Sequence, residues 1–193
     1  MFMRKRSHVI VALLLVFLLL SIFLNVFLWR RVRSAVAALE TQSPIRVGAT
    51  LPPLSVTDPS NESAQLTLQF SQADPKTTVV YVFRPTCAWC QRNERNMEAL
   101  ARQLTGKVRL IGVSLSSQRL QEYVAERRLR FPIYLLDPEM ADTYGLSSTP
   151  TTIVVGSDGI VRHSWQGAYS GTVKKAVENA LGVALPEDVS TEQ

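Results

Sequence analysis

The sequence has few of the residues from which most catalytic and metal sites are built. Its 193 residues include only two histidines, His8 and His163, and only two cysteines, Cys87 and Cys90. A Ser-His-Asp triad or a site with several histidine ligands would have to depend on His163 alone, because His8 borders a long apolar run. The composition therefore argues against histidine-centred chemistry.

Acidic residues are absent from the first 39 positions, where the chain is instead basic and apolar. The formal net charge is +5, but six of the 21 basic residues lie within the first 33 positions. Over residues 34–193 the count is 15 basic against 16 acidic residues, which is nearly neutral. A nucleic-acid-binding protein carries a basic patch on its folded domain, so we expect no nucleic-acid partner.

A long apolar run covers residues 9–29 and is interrupted only by Ser21 and Asn25. As a helix it would be about 31 Å long, which matches the hydrocarbon thickness of a bilayer. This predicts a basic N-terminal tail over 1–8, a transmembrane anchor over 9–29 and a tether over 30–46.

A cleaved signal peptide is the alternative interpretation of this segment. Residues 4–6 are basic, and residues 35–37 (Ala-Val-Ala) resemble a cleavage site. The apolar run is longer than the ~7–15 residues of a signal peptide, which favours an uncleaved anchor. A short basic tail stays easily in the cytoplasm, and a long domain is translocated largely regardless of its charge. We expect a single-pass inner-membrane protein whose domain lies on the periplasmic, extracytoplasmic side.

Strand and helix patterns alternate along residues 47–183, before a polar tail over 184–193. The strands are predicted at Ala64–Leu68, Thr77–Phe83, Val108–Leu115, Ile133–Leu136, Thr151–Val155 and Ile160–Trp165. The helices are predicted at 88–104, Gln118–Leu129 and Thr172–Leu181. The last two strands are joined by a Gly-Ser-Asp-Gly turn, which is typical of a hairpin. This order predicts a three-layer α/β domain.

The two cysteines form a C-x-x-C motif, for which three structural interpretations fail. A zinc site needs about four ligands, and beyond Cys87 and Cys90 the chain offers only His163 and carboxylates. Haem attachment requires histidine after the second cysteine, where this chain has Gln91. A disulfide across four residues closes a loop that is worth only about 2 kcal/mol. A redox-active pair remains, which needs no metal or organic cofactor.

The position of the motif gives the two cysteines different roles. It follows the strand that ends at Phe83, so Cys87 falls at a helix N-terminus, where free N–H groups favour a thiolate. Cys90 is seven residues before Met97, on the face that we expect to be buried. This predicts that Cys87 attacks and that Cys90 resolves the mixed disulfide.

Several segments resemble the membrane-tethered thioredoxin-like proteins of the TlpA/ResA type. They are Thr77–Cys90, Gly145–Thr152, Gly156–Val161 and the entry segment Val47–Leu54. The resemblance spans about residues 47–181. It implies a thioredoxin-like three-layer fold with a central insertion, preceded by one N-terminal transmembrane helix.

The resemblance also implies a cis-proline opposite the dithiol, carried over to Pro150, with Thr149 directly before it. In this arrangement the two residues shape an edge on which a substrate strand docks. The alternative is an ordinary trans Thr-Pro turn. The implied insertion, a helix and a strand, corresponds to Gln118–Leu136.

Three positions of the motif region depart from the pattern of the relatives. The tryptophan usual before the first cysteine is Thr86, and Trp89 lies between the cysteines, where we expect it to contact substrate. The buried acid of thioredoxin is replaced by Tyr81. These departures leave the direction of electron flow open.

The glutamate that many reductive relatives carry three residues after the second cysteine is Asn93 here. Glu94, one helical turn beyond Cys90, is a candidate for assisting proton transfer, and a solvated helix charge is the alternative. Arg84 is a candidate for stabilising the thiolate, with an exposed surface arginine as the alternative. Glu94 and Arg84 are thus the two candidate modulators of the thiol pKa values.

The predicted function is a thiol-disulfide oxidoreductase that exchanges disulfides with protein substrates outside the cytoplasm. We expect a membrane electron donor or acceptor as a second partner. The resemblance implies a reductase in cytochrome c maturation as the first specific role.

Two other functions compete with this prediction. A copper-handling or assembly protein would bind Cu(I) through the soft thiolates, although histidine is scarce and no methionine cluster lies nearby. A peroxiredoxin would carry P-x-x-x-T-x-x-C, but Thr86 adjoins Cys87 and the required threonine position is Arg84.

Overall fold

The structure is a computed structural model that describes residues 14–32, 45–71, 77–127 and 129–187. The chain divides into two units, Met1–Gln42 and Ser43–Gln193. Four stretches of the predicted organisation lie outside the described residues: the tail 1–8, the start of the anchor at 9–13, most of the tether at 33–44, and residues 188–193 of the C-terminal tail. The predicted domain boundaries stay predictions.

Leu14–Val32 form a single helix, α1, with 19 residues and a mean hydropathy of 1.9. The amide of Asn25 donates to the carbonyl of Ser21 at 2.8 Å, so this polar group is satisfied within the helix. At about 28 Å the helix has the length and composition of a membrane span. It therefore fits the predicted single-pass anchor and continues three residues past its expected end at 29.

The second unit is an α/β domain with one mixed sheet. Its strands are β1 (Leu54–Asp58), β2 (Asn61–Leu68), β3 (Thr78–Phe83), β4 (Arg109–Ser114), β5 (Ile133–Leu136), β6 (Thr151–Val155) and β7 (Val161–Gln166). Its helices are α2 (Ala88–Arg92), α3 (Glu94–Leu104), α4 (Leu120–Arg127), α5 (Pro138–Thr143) and α6 (Gly171–Leu181).

The described strands form a sheet in the order β2-β1-β5-β4-β3-β6-β7. β3 pairs in parallel with β4 and antiparallel with β6. Every residue of β3 is buried, as its unbroken run of β-branched and aromatic residues predicts. The chain emerges from this central strand directly into the cysteine motif.

Alternate residues of β3 face two separate hydrophobic cores. Val80 and Val82 belong to the first core, with the entry segment, β1 and α5. Tyr81 and Phe83 belong to the second core, with Cys90 and residues of α3, α4 and α6. Helices thus cover both faces of the sheet, which confirms the predicted three-layer thioredoxin-like fold.

The predicted helix over 88–104 is wrong in one respect, because the structure has two helices there. α2 ends at Arg92, and α3 begins at Glu94. Asn93 between them has φ −88° and ψ −4°, and its side chain accepts a hydrogen bond from the N–H of Tyr169 at 3.0 Å. This distant contact, which no periodicity reveals, fixes the break.

Short elements account for the other differences from the predicted pattern. β1 and α5 were not predicted, and β2 begins at Asn61 rather than Ala64. The predicted hairpin is confirmed as β6 and β7, which pair antiparallel. Its turn depends on Gly159, whose φ of 79° is in the left-handed region.

Candidate active site

The cysteine motif occupies the turn between the central strand β3 and helix α2. Cys87 is the N-cap residue of α2, with φ −80° and ψ 115°. Its own N–H donates to the carbonyl of Arg84 at 3.1 Å, which closes the turn after the strand. Its Sγ accepts a hydrogen bond from the N–H of Cys90 at 3.3 Å. A cysteine sulfur thus takes the capping position usually held by a serine or aspartate oxygen.

The two thiols differ in exposure. Cys87 is partly exposed, whereas Cys90 is fully buried beneath it, and both are free thiols. Cys90 packs in the second core with Tyr81, Phe83 and Met97. One sulfur is therefore accessible to another protein, and the other is reached only through the first.

The pKa values of the thiols differ in the same sense. Partial burial opposes ionisation of Cys87, but hydrogen bonds from the side chains of Cys90 and Thr149 and from backbone N–H groups lower its pKa below the ordinary value. Burial, together with the hydrogen bond to Cys87, raises the pKa of Cys90 to about 12. The accessible sulfur is thus the one that ionises first.

Thr149 and Pro150 lie beside the Cys87 sulfur, as the sequence predicted. The Thr149–Pro150 peptide bond is cis, which rules out the alternative of a trans turn. The Cys87 thiol donates to the carbonyl of Thr149 at 3.6 Å. The carbonyl of Pro150 accepts from the N–H of Gly167 at 2.8 Å, which ties this segment to the end of β7.

Asn93, at the position of the glutamate in reductive relatives, is buried, and its side chain accepts two hydrogen bonds. Its Oδ1 accepts from the N–H of Tyr169 and from the amide of Asn96, both at 3.0 Å. The hydroxyls of Tyr169 and Thr152 are 2.5 Å apart. The sequence indicated Tyr169 only as a core or rim aromatic, and it did not indicate Asn96 as a neighbour of the motif. The replacement at position 93 was the one available signal.

Glu94 does not point to open solvent as an ordinary helix charge would. Its side chain is 15% exposed and forms an ion pair with Arg127 of α4 at 3.0 Å. Its Oε1 is buried and has no hydrogen-bond partner among the described residues. Burial raises the pKa of Glu94 although Arg127 opposes the shift.

Tyr123 of α4 belongs to the same hydrophobic core as Cys90. Its ring packs against Phe83 with centroids 5.3 Å apart. Burial raises its pKa, and the charges of Glu94 and Cys90 raise it further, so the phenol is close to both groups. The insertion helix α4 thus contributes Tyr123 and Arg127 to the site, which no local pattern in the sequence indicated.

The remaining two candidates lie at the rim of the site. Arg84 contacts the motif through its backbone, since its carbonyl accepts from Cys87 and its N–H lowers the pKa of Cys90. Trp89 is 56% exposed beside the cysteines, and the guanidinium of Arg92 lies 4.6 Å from its ring centroid. The structure thus brings all seven sequence-predicted residues to or near one site.

We expect iodoacetamide to label Cys87 of the reduced full chain at pH values below the ordinary cysteine pKa of about 8.5. A lowered pKa means that the reactive thiolate persists to lower pH. Cys90 should stay unlabelled up to pH 9, because its pKa is about 12. Mass spectrometry of each cysteine across pH 5–9 measures both profiles.

A second variant, Thr149→Val, tests the cause of the lowered Cys87 pKa, because it keeps the shape of the side chain and removes its hydroxyl. Its labelling curve should move to higher pH, because one hydrogen bond to the thiolate is lost. Equal and slow labelling of both cysteines would contradict the assignment.

Comparison with known proteins identifies the family. A model of the AhpC/TSA family matches residues 47–164. The chain is also similar to the thiol-disulfide oxidoreductase ResA of Oceanobacillus iheyensis, with 27% identity over 129 residues. That alignment covers 65% of this chain and 67% of ResA.

Solved structures share the fold at low sequence identity. StoA from Bacillus subtilis is 16% identical, with a TM-score of 0.51 over 66% of this chain and 96% of StoA. The thioredoxin domain of a thiol-disulfide oxidoreductase from Bacteroides vulgatus is 16% identical, with a TM-score of 0.57 over 71% and 99%. A thiol:disulfide interchange protein from Bacteroides sp. is 17% identical, with a TM-score of 0.56 over 72% and 93%.

These findings confirm the predicted relationship to thioredoxin-like proteins of the TlpA/ResA type. They also confirm the predicted enzyme class, a thiol-disulfide oxidoreductase. Because the family model matches residues 47–164, which is more than half of the sequence, the chain belongs to the AhpC/TSA family.

Proposed function

We propose that this oxidoreductase reduces disulfides of protein clients outside the cytoplasm, with Cys87 as nucleophile and Cys90 as resolving thiol. The observation that carries the proposal is the asymmetry of the pair. The accessible sulfur of Cys87 accepts the N–H of Cys90 at 3.3 Å, and Cys90 is buried with a pKa of about 12. This is the arrangement that a two-step exchange requires.

In the first step the Cys87 thiolate attacks one sulfur of a client disulfide. A Cys87–client disulfide forms, and the other client sulfur leaves as a thiolate that takes up a proton. In the second step Cys90 loses its proton and attacks the Cys87 sulfur, which releases the second client thiolate. Two electrons pass to the client, and the protein is left with a Cys87–Cys90 disulfide that a membrane electron donor must reduce.

We propose that Thr149 and Pro150 hold the client during the exchange. The carbonyl of Thr149 is 3.6 Å from the Cys87 sulfur, so a client segment at this edge lies next to the attacking atom. Trp89 is two residues beyond Cys87, in α2, and its side chain is exposed to a client. By resemblance to the TlpA/ResA type, we propose apocytochrome c as the first client to examine.

Trapping of the mixed disulfide tests this function. Reduced full chain in detergent should reduce insulin, and Cys90→Ser should accumulate a disulfide-linked adduct with insulin through Cys87. Cys87→Ser should form no adduct and show no turnover, because its remaining thiol is buried and protonated. Non-reducing electrophoresis and mass spectrometry detect the adduct.

Absence of turnover and of any adduct would contradict the proposal. If the same wild-type protein instead bound Cu(I) tightly in an anaerobic titration, the copper-handling alternative would be favoured.

We further propose that Glu94 accepts the Cys90 proton in the second step, by way of Tyr123 and water. A cavity of about 50 Å³ adjoins Tyr123 and Arg127, the two neighbours of Glu94, and is lined also by Pro85, Gln91, Arg119 and Glu126. It is large enough for a water molecule. The groups that face Glu94 are Arg127, Tyr123 and, more weakly, Glu98. An acid with a raised pKa is better matched to a proton from a thiol than an ordinary carboxylate.

We expect Glu94→Gln to slow the resolving step about 10-fold to 100-fold near neutral pH. The slowing should diminish as the pH rises, since hydroxide then takes the Cys90 proton. Rapid-quench measurement of mixed-disulfide decay from pH 6 to 10 determines the profile.

The matched control is Glu98→Gln, which removes an exposed carboxylate from the same helix and should leave the rate unchanged. A pH-independent loss in Glu94→Gln, or a shift of the Cys87 labelling curve, would indicate a structural role and contradict the proton-transfer role.

We propose that α1 anchors the chain in the inner membrane with the domain on the extracytoplasmic side. The support is the length and apolar composition of α1 and the short basic segment that precedes it. Disulfide exchange with folding proteins also belongs in an oxidising compartment.

Alkaline phosphatase fused to the C-terminus should be active in a bacterial host, because this reporter folds only outside the cytoplasm. A green fluorescent protein fused at the same place should stay dark after Sec-dependent export. An inactive phosphatase with a fluorescent partner fusion would reverse the proposed orientation.

A further inference from the structure

A basic aromatic surface lies next to the cysteine motif, and its two arginines have no role in the exchange steps described above. It consists of Trp89, Arg92 and Arg95 and is called here the Trp89 surface. Trp89 is 56% exposed, and among the described residues of the second unit the other large exposed hydrophobic side chains are Val47 and Leu66. An exposed tryptophan between the two reactive cysteines marks a surface that meets another protein.

Arg92 is held in place by Trp89. Its guanidinium lies 4.6 Å from the centroid of the indole ring, within the range of a cation–π contact. A cation–π contact leaves N–H groups of the guanidinium available to donate to another partner. A guanidinium fixed in this way loses little entropy when it binds a planar anion such as a carboxylate.

The arginines of the Trp89 surface are not neutralised by neighbouring acids. Arg92 and Arg95 are exposed, and neither has a carboxylate within 4.0 Å in the part of the chain that the structure describes. Glu94, between them in sequence, is paired instead with Arg127 of α4 at 3.0 Å. Glu94 lines the same groove as Trp89, Arg92 and Arg95, but its charge is paired there with Arg127 rather than with either of these arginines.

A groove of about 540 Å³ continues from this surface. Its charged lining residues are Arg92, Arg95, Glu94 and Glu187, and Trp89, Tyr169 and Pro186 supply apolar surface. Of the two acids, Glu94 is already paired with Arg127. The two arginines and Trp89 therefore face one groove that an extended client segment could occupy.

We propose that the Trp89 surface selects client proteins whose reactive cysteine is flanked by acidic residues. The inference rests on the proposed disulfide exchange and specifies its substrates. A client carboxylate would take paired hydrogen bonds from the edge of the Arg92 guanidinium, and Arg95 would add a second favourable charge. Because Arg92 is two residues beyond Cys90, the carboxylate would lie within a few residues of the client disulfide.

The expected consequence is kinetic. The described charges raise the rate of encounter with an acidic client and lower it for a basic one, and dissolved salt screens both effects. The chemistry at Cys87 is unchanged, so a small neutral disulfide should react at the same rate whatever charges the Trp89 surface carries.

The test compares two synthetic peptides, each closed by one disulfide and identical except for glutamates or lysines beside the cysteines. Reduced full chain in detergent is mixed with each peptide, and the second-order rate constant is measured by acid quench and mass spectrometry. Bis(2-hydroxyethyl) disulfide serves as the neutral reference. We expect the acidic peptide to react about 10-fold faster than the basic one at 20 mM salt and less than about 2-fold faster at 1 M salt.

The double variant Arg92→Gln and Arg95→Gln should lose this preference while reducing the neutral disulfide normally. The matched control is Arg102→Gln with Lys107→Gln, which removes the same charge from exposed positions farther along α3 and its following turn. The control should keep most of the preference. Arg92→Lys should keep the effect of charge and lose the part that depends on stacking and paired hydrogen bonds.

Three outcomes would overturn the proposal. One is an equal rate for both peptides in the wild type, and another is an equal loss of preference in the control variant. The third is a preference for uncharged aromatic peptides that persists in the Arg92, Arg95 variant, which would show apolar docking on Trp89. Failure to reduce even the neutral disulfide would instead contradict the disulfide exchange itself, so the two failures are distinguishable.

Discussion

The hydrogen bond from the N–H of Cys90 to the sulfur of Cys87, 3.3 Å long, is the contact on which the site depends. It makes a thiol the N-cap of α2, and the same donor that caps the helix stabilises the thiolate. Since α2 has only five residues, a long helix dipole does not account for the lowered pKa of Cys87. Local N–H groups and the Thr149 side chain do, so the turn after β3 must hold the sulfur in place.

Asn93 explains why α2 is so short. A glutamate at this position would bring a charge into the second core, whereas the neutral amide takes two donors, the N–H of Tyr169 and the amide of Asn96. The chain breaks there, and α3 restarts with Glu94 turned towards Arg127. The acid of this region is therefore Glu94, at the next position along the chain, and it depends on the insertion helix α4 for its partner Arg127.

The sequence was sufficient to predict the elements that depend on local pattern. It was insufficient for features of the structure that depend on a contact between residues far apart in the chain. The apolar run of β3, the glycine turn of the hairpin and the cysteine spacing predicted the sheet centre and the dithiol. The break at Asn93 escaped prediction because Cys90 and Met97 keep helical spacing across it. Tyr123 and Arg127 were not predicted as site residues, because they approach Glu94 only once the chain has folded. The elements β1 and α5 were not predicted because they are too short to show a period.

The near-neutral charge of residues 34–193 bears on how such a protein recognises clients. With 15 basic and 16 acidic residues, the domain has no strong overall field to steer partners over long distances. Any selection of clients by charge must then depend on individual surface charges that are not paired with an opposite charge nearby. Most exposed ion pairs here, such as Arg119–Glu122 and Arg162–Asp158, cancel locally. Arg92 and Arg95 differ from these pairs, because neither has a carboxylate within 4.0 Å among the described residues, and the neighbouring Glu94 is paired with Arg127. The two uncompensated charges lie next to the exposed Trp89, so the local field at this part of the surface is positive although the domain as a whole is nearly neutral.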